Sequence, residues 1–148
     1  MFRLDGKTAL VSGASRGLGW GMAEALAKQG AHVFLNGRNL ASLEQRAVEL
    51  TSNGFLATVV AFDVTRSENV KQTIDQIVAS HGALDIVIAN AGIQHRSPIV
   101  DFNEDDFRRV MDTNLTSVWS MAKEASRHMI QSGGGRIIFT GSITADLG

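Results

Sequence analysis

Cysteine and tyrosine are absent from the 148-residue sequence, and proline occurs once. The lack of cysteine excludes disulfides and thiolate chemistry, and no metal site is predicted. The lack of tyrosine leaves no phenol to exchange a proton with a substrate. The sequence also has no excess of charge of either sign, because it contains 14 Lys and Arg residues and 15 Asp and Glu residues, for a net charge of −1. This balance argues against a nucleic-acid partner.

Long hydrophobic runs are missing as well. No stretch approaches the roughly 20 apolar residues of a membrane-spanning helix, and residues 1–7 lack the apolar run of a signal peptide. We therefore expect a cytoplasmic protein that does not bind membranes. A hydrophobic content of 44% and a length of 148 residues predict one domain with a sizeable core.

What the sequence does contain is an alternation of short apolar runs with longer segments of helical periodicity. The predicted strands are 8–11, 32–36, 56–62, 85–89 and 136–140, and the predicted helices are 17–29, 40–51, 67–80 and 104–131, the last as one or two segments. This alternation predicts an α/β fold, in which a parallel sheet is covered by helices on both faces. Because the crossovers are right-handed, the carboxyl ends of all strands lie at one edge, where ligands bind.

A glycine-rich stretch with the spacing G-x-x-x-G-x-G joins the first predicted strand to the first helix. The first N–H groups of a helix have no internal partner and lie at the positive end of its dipole, and glycine lets a phosphate approach the backbone. The stretch therefore predicts a pyrophosphate site, although such a turn can also serve only to make a strand–helix corner tight. It lacks the Lys-Ser/Thr pair of an NTP-binding loop. The cofactor residues assigned here are Gly13, Ser15, Arg16, Gly17, Leu18 and Gly19.

Asn36, Gly37 and Arg38 follow the second strand, where proteins that bind NAD usually carry Asp or Glu for the ribose hydroxyls. A carboxylate would repel a 2′-phosphate, whereas Arg38 would attract it and Arg16 can reach the same region. We therefore predict NADP(H) rather than NAD(H) as the cofactor, with Asn36 and Arg38 among its contacts. Two solvated surface arginines are the alternative. The absence of an acidic residue after the second strand also argues against a methyltransferase.

The loops after the third and fourth strands complete the predicted cleft. Asp63 could accept a hydrogen bond from an adenine amine or cap the turn that follows it, and these roles are compatible. Small residues after the fourth strand let a ligand lie against the backbone. The cationic side chains that come next would favour an anionic substrate, with an exposed polar loop as the alternative. The assigned cofactor residues are Asp63, Val64, Asn90, Ala91 and Gly92, and the assigned substrate residues are Gln94, His95 and Arg96.

Asn114 and Ser142 are the remaining candidates. Asn is a poor residue inside a helix because its side chain competes for backbone groups, so Asn114 predicts a kink or a site for a bound water. Ser142 follows the fifth strand. Its hydroxyl is expected to point into the same cleft as the glycine turn.

Residues 12–19, 90–92 and 141–142, together with Asn114, resemble the short-chain dehydrogenase/reductase family in their order and spacing. The resemblance runs from Leu4 to the last residue. It implies a three-layer Rossmann fold, a doubly wound parallel sheet of strand order 3-2-1-4-5, and hydride transfer between a nicotinamide and an alcohol or ketone. Residues 35–39, 92–98, 127–129 and 146–148 are similar to the gluconate 5-dehydrogenase branch. That similarity implies a sugar acid, gluconate or 5-ketogluconate, as the small-molecule substrate.

The resemblance also assigns catalytic roles. Ser142 would hydrogen-bond the substrate oxygen, and Asn114 would hold a water that relays protons to a lysine. In the family, protons are transferred by a tyrosine whose pKa is lowered by a lysine four residues later, and both belong soon after Ser142, beyond Gly148. An unassisted phenol, with a pKa of about 10, would be a poor catalyst near neutral pH.

Residues 1–148 are accordingly predicted to be the N-terminal part of a single NAD(P)-binding domain, with the C-terminal strands missing and strand 136–140 at an exposed sheet edge. The leading hypothesis is an NADP-dependent oxidoreductase whose parent enzyme is a homotetramer, as is common in the family. The alternative is a truncated, non-catalytic module that binds a dinucleotide or pairs with another chain. A polypeptide of these residues alone is expected to be inactive.

Apolar residues along the helix 104–131 are predicted mainly to pack in the core. The alternative to core packing is a subunit interface for some of these residues, because tetramers of the family place helices of this region at subunit interfaces. The residues concerned are Phe107, Val110, Leu115, Val118, Trp119 and Met121.

Overall fold

The computed structural model describes residues 3–142, which form a five-stranded parallel sheet with helices packed on both faces. The strands are β1 (Thr8–Val11), β2 (His32–Gly37), β3 (Ala57–Ala61), β4 (Ile86–Ala89) and β5 (Arg136–Phe139). The helices are α1 (Gly17–Lys28), α2 (Leu40–Ser52), α3 (Ser67–His81), α4 (Glu104–Met111) and α5 (Ser117–Gln131). A 3-10 turn covers Ile99–Asp101, and a π-helical turn, Asp112–Thr116, joins α4 to α5.

The strand order is β3-β2-β1-β4-β5 with every neighbouring pair parallel, which confirms the predicted doubly wound topology. The order reverses at β1: the chain first moves outward through β2 and β3, then returns to place β4 on the other side of β1. A ligand crevice forms at such a reversal, outside the carboxyl ends of the strands. The glycine turn after β1 and the turn 90–92 after β4 both lie at this point.

Alternation along the strands divides the core into two layers. Ala9 and Val11 of β1 belong to the cluster that contains residues of α1 and α2, whereas Leu10 belongs to the cluster of α3 and α5. Because successive side chains of a strand point to opposite faces, an apolar strand such as β1 needs helices on both sides. All residues of β1 and β4 are buried. The two turns of the crevice are therefore anchored on the most buried strands of the sheet.

The predicted helix 104–131 is interrupted at the residue that its sequence singles out. Asn114 lies in the π-helical turn Asp112–Thr116, so the α-helical pattern is interrupted at the residue for which a kink or a water site was expected. Its amide accepts from Ile93 N at 2.8 Å and donates to Ile93 O at 2.9 Å. The turn thereby holds the loop after β4, and π turns of this kind are frequent at functional sites.

The apolar residues of α4 and α5 do not all pack in the core, and that prediction is wrong for three of them. Met121 is buried, but Phe107, Leu115 and Trp119 are 54, 57 and 60% exposed. The reason is that α5 packs on β4 and α3, whereas α4 contacts little in the described part of the chain beyond the π turn that follows it. No residue of α4 is buried among residues 3–142.

At the edge of the sheet, β5 has a neighbour on one side only within residues 3–142. Ile138 and Phe139 are exposed there, as expected for an edge strand. Ser142 lies within the described residues, whereas the segment 146–148 that resembles the gluconate 5-dehydrogenase branch lies outside them. Among residues 3–142, none of the helices combines the length and the apolar character needed to cross a membrane.

Candidate functional site

The glycine turn is shaped both by its own backbone and by its neighbours. Gly13 and Gly17 adopt positive φ angles of 66 and 57°, which residues other than glycine rarely adopt. Gly19 has an ordinary backbone but is buried, and a Cβ atom there would lie 2.2 Å from Gly13 O and 2.5 Å from Asn90 Nδ2. A side chain at residue 19 would therefore push the start of α1 away from the turn.

The amino-terminal end of α1 meets the crevice without a side-chain cap. Arg16 occupies the cap position with an extended backbone, its side chain makes no capping hydrogen bond, and the first turn carries no acidic residue. The uncapped N–H groups and the dipole of this 12-residue helix leave a positive end. Such an end suits a phosphate group.

Ser12 connects the two turns of the crevice. Its Oγ accepts hydrogen bonds from the backbone N–H groups of Asn90, at 2.9 Å, and Ala91, at 3.0 Å. The Asn90 amide donates in turn to the carbonyls of Ser12 and Gly13. Asn90 therefore bridges the ends of β1 and β4, and Ser12 is a structural residue of the crevice that the sequence interpretation missed.

A cavity of about 700 Å³ lies at the carboxyl ends of the strands. This volume falls within the range of roughly 300–1,000 Å³ that small-molecule and cofactor sites occupy. All predicted cofactor residues line it except Gly19, which is buried beneath the turn, and Leu18, whose side chain is 77% exposed. Those that line it are Gly13, Ser15, Arg16, Gly17, Asn36, Arg38, Asp63, Val64, Asn90, Ala91 and Gly92.

Arg16 and Arg38 bring positive charge to this cavity. Within residues 3–142, neither guanidinium forms a hydrogen bond or a salt bridge with another side chain. Both side chains belong to exposed residues, so water solvates them in the absence of a ligand. A phosphate group offers such guanidinium groups the bidentate contacts that they prefer.

Asn36 and Asp63 shape the cavity through contacts with the backbone. The Asn36 amide donates to the carbonyls of Val60 and Phe62, at 3.0 and 3.2 Å, and so ties β2 to the end of β3. Its Oδ1 is buried and has no hydrogen-bond partner among the described residues. Asp63 Oδ1 accepts from the N–H and the hydroxyl of Thr65, which confirms its capping role.

The Asp63 pKa is lowered from its ordinary value. The main cause is the hydrogen bond from the Thr65 backbone N–H, with smaller contributions from the Thr65 hydroxyl and from the charge of Arg38. Asp63 is therefore an anion at neutral pH, and Arg38 lies close enough to interact with it. A contact from an adenine amine would use the carboxylate oxygen that does not bind Thr65.

Helix α4 and the π turn form a charged wall of the cavity that the sequence interpretation missed. Asp105, Arg108, Arg109 and Asp112 all line it. They recur every three or four residues and so share one helical face, a pattern that is visible in the sequence. Arg108 pairs with Glu104, and Arg109 pairs with Asp106. In contrast to Arg16 and Arg38, these arginines are already neutralised by neighbouring carboxylates.

The predicted substrate residues Gln94, His95 and Arg96 are not among the residues that line this cavity. His95 Nε2 lies 3.4 Å from Asp106 Oδ2, and its ring packs edge-on against Phe102 with 5.0 Å between ring centres. When the Gln94 amide is oriented with its oxygen toward Arg96, that oxygen accepts hydrogen bonds from Arg96 Nε and Arg96 Nη2, at 3.1 Å each. His95 thus holds the loop against α4, and Arg96 is the exposed cation that remains for an anion.

The two catalytic candidates are not among the residues that line the cavity. Asn114 holds Ile93, and Ile93 lines the cavity. Ser142 follows β5 as its sequence position indicates, and it is exposed and not among the cavity residues. The structure therefore brings the cofactor residues together more closely than it does the catalytic candidates.

The chemistry of the cavity fits a dinucleotide. The glycine turn and the uncapped end of α1 suit a pyrophosphate, because both present backbone N–H groups and no acidic side chain. Arg16 and Arg38 suit a further phosphate at the end of β2. The small residues Ala91 and Gly92 leave room for a flat group against the end of β4.

Comparison with known proteins identifies the family. A family model described as short chain dehydrogenase matches residues 7–148. The chain is 40% identical over 147 residues to a gluconate 5-dehydrogenase of Gluconobacter oxydans, and the match covers 99% of this chain and 57% of that protein. It is 42% identical to a versicolorin reductase of Emericella nidulans, covering 99% of this chain and 55% of that protein. The chain thus spans little more than half the length of these relatives.

A solved structure agrees with the fold as well. A gluconate 5-dehydrogenase from Burkholderia cenocepacia, crystallised in complex with NADP and tartrate, is 40% identical to the chain and superposes with a TM-score of 0.93. The superposition covers 99% of this chain and 58% of that one. The family resemblance, the Rossmann fold and the strand order predicted from the sequence are all confirmed. The chain belongs to the short-chain dehydrogenase family, whose members are oxidoreductases that bind nicotinamide cofactors.

Proposed function

We propose that the protein is an NADP-dependent oxidoreductase that transfers a hydride between the nicotinamide and a secondary alcohol or ketone of a sugar acid, with gluconate and 5-ketogluconate as the pair. The observation that carries the cofactor assignment is the position of Arg16 and Arg38. Both line the cavity at the end of β2, and neither guanidinium has a hydrogen-bond or salt-bridge partner in the described part of the chain. A protein specific for NAD usually has a carboxylate at the end of β2.

The charge around these arginines supports the same assignment. Asp63 offsets part of the charge of Arg38, but one of its oxygens is engaged by Thr65. Two neighbouring guanidinium groups repel each other, and a phosphate monoester relieves that repulsion while accepting hydrogen bonds from both. A ribose without a 2′-phosphate would offer no anion to Arg16 and Arg38.

The proposed cofactor contacts follow the order of the turns. Gly13, Ser15 and Gly17 would meet the pyrophosphate, with Gly19 allowing α1 to approach. Asp63 and Val64 would meet the adenine, and the turn 90–92 would meet the nicotinamide ribose. The bound nicotinamide supplies or accepts the hydride. The residues of the three turns would bind and orient it.

The sugar-acid assignment rests on the relatives and on the loop after β4. Two matched proteins are named gluconate 5-dehydrogenase, and one of them is crystallised with tartrate, a hydroxy acid. Arg96 is exposed on the loop that follows the cavity residue Ile93, where it could meet a carboxylate. A second candidate is a versicolorin reductase activity, which the 42% identity to a protein of that name favours.

Residues 1–148 contain no tyrosine, so they do not supply the phenol that transfers the proton in the family mechanism. Ser142 and Asn114 are proposed to assist the reaction, Ser142 at the substrate oxygen and Asn114 through a bound water. A non-catalytic module that binds a dinucleotide remains the alternative for residues 1–148 by themselves.

A titration of the protein with NADPH and with NADH tests the cofactor assignment. We expect NADPH to bind at least about tenfold more tightly, and equal affinities would contradict the assignment. Arg38→Asp should weaken NADPH binding by about 1.5 kcal/mol, the lower end for a charged hydrogen bond, because Arg38 is exposed. It should not weaken NADH binding, because the new carboxylate can accept hydrogen bonds from the ribose hydroxyls.

Arg136→Asp is the matched control, because it makes the same charge change at the start of β5, at the opposite edge of the sheet. Its NADPH affinity should equal that of the unchanged protein. Assays of gluconate oxidation and versicolorin reduction by the whole protein then separate the two substrate candidates.

A further inference from the structure

A second, smaller cavity of about 410 Å³ shares Ser15, Arg16 and Arg38 with the first. The start of α2 provides its other residues. They are Asn39, Ser42, Gln45 and Arg46. Three of the residues around it are arginines, and none of the described ones is acidic. The small cavity is therefore a positively charged pocket beside the end of β2.

Arg46 is held in this pocket by three separate contacts. Its guanidinium carbon lies 4.7 Å from the centre of the Trp20 ring, its Nε donates to the Ser15 carbonyl at 3.3 Å, and its Nη1 pairs with Glu49 Oε2 at 2.8 Å. Stacking on an aromatic ring and hydrogen bonding fix a side chain that is otherwise rich in rotamers. Less conformational entropy is then lost when Arg46 binds an anion.

These contacts leave Arg46 able to take a further ligand. None of the described residues accepts a hydrogen bond from its Nη2. The side chain is 32% exposed, so solvent and ligands can reach it. Its bond to Ser15 also matters for an anion site, because the Ser15 carbonyl would otherwise present a bare negative dipole in the glycine turn.

We infer that Arg46 is a specificity-determining residue, the third cation of a pocket for a phosphate monoester that it forms with Arg16 and Arg38. The inference rests on the proposed function, since this phosphate distinguishes NADP from NAD. Trp20 and Ser15 position the guanidinium. Glu49 competes with the phosphate for it, because Glu49 occupies one of its donors.

The test compares two fragments of the cofactor, 2′,5′-ADP and 5′-AMP, by calorimetric titration of the full chain. Arg46→Gln should weaken the binding of 2′,5′-ADP roughly tenfold, the effect of losing one charged hydrogen bond. The affinity for 5′-AMP should change less than about twofold. Arg127→Gln is the matched control, because Arg127 pairs with Glu124 at the same spacing on α5 and lies outside both cavities.

Two results for Arg46→Gln would overturn the inference. An equal loss for both fragments would mean that Arg46 only supports the glycine turn, and no loss for either would mean that it does not meet the ligand. If Arg38→Gln weakens the binding of 2′,5′-ADP but not of 5′-AMP, and Arg46→Gln weakens neither, the role of Arg46 is overturned and the NADP assignment stands. If the unchanged protein binds both fragments equally, the NADP assignment fails as well.

Glu49→Gln adds a readout that a purely supporting role would not give. Removing the competing carboxylate should strengthen the binding of 2′,5′-ADP by roughly twofold to threefold and leave 5′-AMP unaffected. Weaker binding of 2′,5′-ADP by this variant would show that Glu49 supports the arginine rather than competes for it. That result would overturn the assigned role of Glu49 as a competitor.

Discussion

At the scale of single residues, the glycine turn needs glycine for two different reasons. Gly13 and Gly17 are needed for their positive φ angles, which a side chain would strain. Gly19 is needed for space, because a Cβ atom there would overlap the Gly13 carbonyl and the Asn90 amide, and a Cβ atom at Gly13 would also lie only 3.0 Å from Ala91 Cα. The sequence pattern shows all three glycines but does not show which reason applies to which residue.

Gly19→Ala is predicted to destabilise the protein by about 1–3 kcal/mol, because the new methyl group overlaps Gly13 O and Asn90 Nδ2. It should also weaken NADPH binding, since the start of α1 must move away from the turn. Urea denaturation and an NADPH titration measure the two effects. Gly21→Ala in the same helix is the control: a Cβ atom there meets open space, so the change should stabilise the protein by about 0.5–1 kcal/mol. Similar effects of both substitutions would contradict the role of space at residue 19.

His95 shows what a residue-by-residue interpretation misses. Its position after β4 suggested a contact with an anionic substrate, with an exposed polar loop as the alternative. In the structure its ring lies against Phe102 and within 3.4 Å of the Asp106 carboxylate. Asp106 itself is held by Arg109 and Asn103, and these bonds, that of Arg109 first, lower its pKa. The partner comes from a different element, so the sequence around residue 95 could not reveal it.

At the scale of elements, the π turn between α4 and α5 links the helix layer to the cleft. It places Asn114 opposite Ile93, and the pair of hydrogen bonds between them holds the loop that leads to Gln94 and His95. The interruption of the helix could be predicted, because Asn disfavours a helix interior. The partner of Asn114 could not be predicted, because it depends on how the π turn lies beside the loop after β4.

The opposite end of the sheet contains a histidine cluster that should respond to pH. His32 of β2 contacts Thr58 of β3, stacks on Phe34 and lies 4.7 Å from His81 of α3 between ring centres. Burial lowers the pKa of His32 below its ordinary value of 6.5, and the charge of His81 contributes. The folded state therefore binds fewer protons than the unfolded state just below pH 6.5, so stability should fall as the pH drops through 6.5 and then level off below the lowered pKa.

His32→Gln tests this cluster, since glutamine can keep a hydrogen bond to Thr58 but does not titrate. The free energy of unfolding in urea, measured between about pH 7.5 and 5.5, should decline less in the variant than in the unchanged protein. Carboxylates do not titrate in that interval, so they do not mask the effect. Parallel declines in the two proteins would show that His32 is not the group responsible.

At the scale of the whole molecule, the sheet order and the two core layers bring four separate segments of the chain to one cavity. Strands β1, β2, β3 and β4 each end in a turn that contributes to it. Helix α4 adds a fifth segment, a charged surface whose charges are paired along the helix. The cavity is thus formed by the carboxyl ends of the strands together, while the catalytic candidates Asn114 and Ser142 are not among the residues that line it.

A polypeptide of residues 1–148 is predicted to bind NADPH and to show no turnover of gluconate with NADP. The residues contain no tyrosine, and neither Ser142 nor Asn114 is an acid or base of suitable pKa for the transfer. Binding is measured by nucleotide fluorescence and turnover by the absorbance of NADPH. Measurable turnover would show that another group in these residues transfers the proton.

The sequence by itself determined the α/β class, the parallel sheet and the glycine turn, together with the arginine after β2. These features depend on local spacing: the period of apolar residues, the order of strands and helices, and the residues at each strand end. Only the tertiary structure decided that Arg46 joins Trp20 and Ser15, that His95 meets Asp106, and that Phe107, Leu115 and Trp119 are exposed. Each of these outcomes depends on which side chains from different elements come within a few ångströms of one another. The spacing of residues along the chain does not determine those distances.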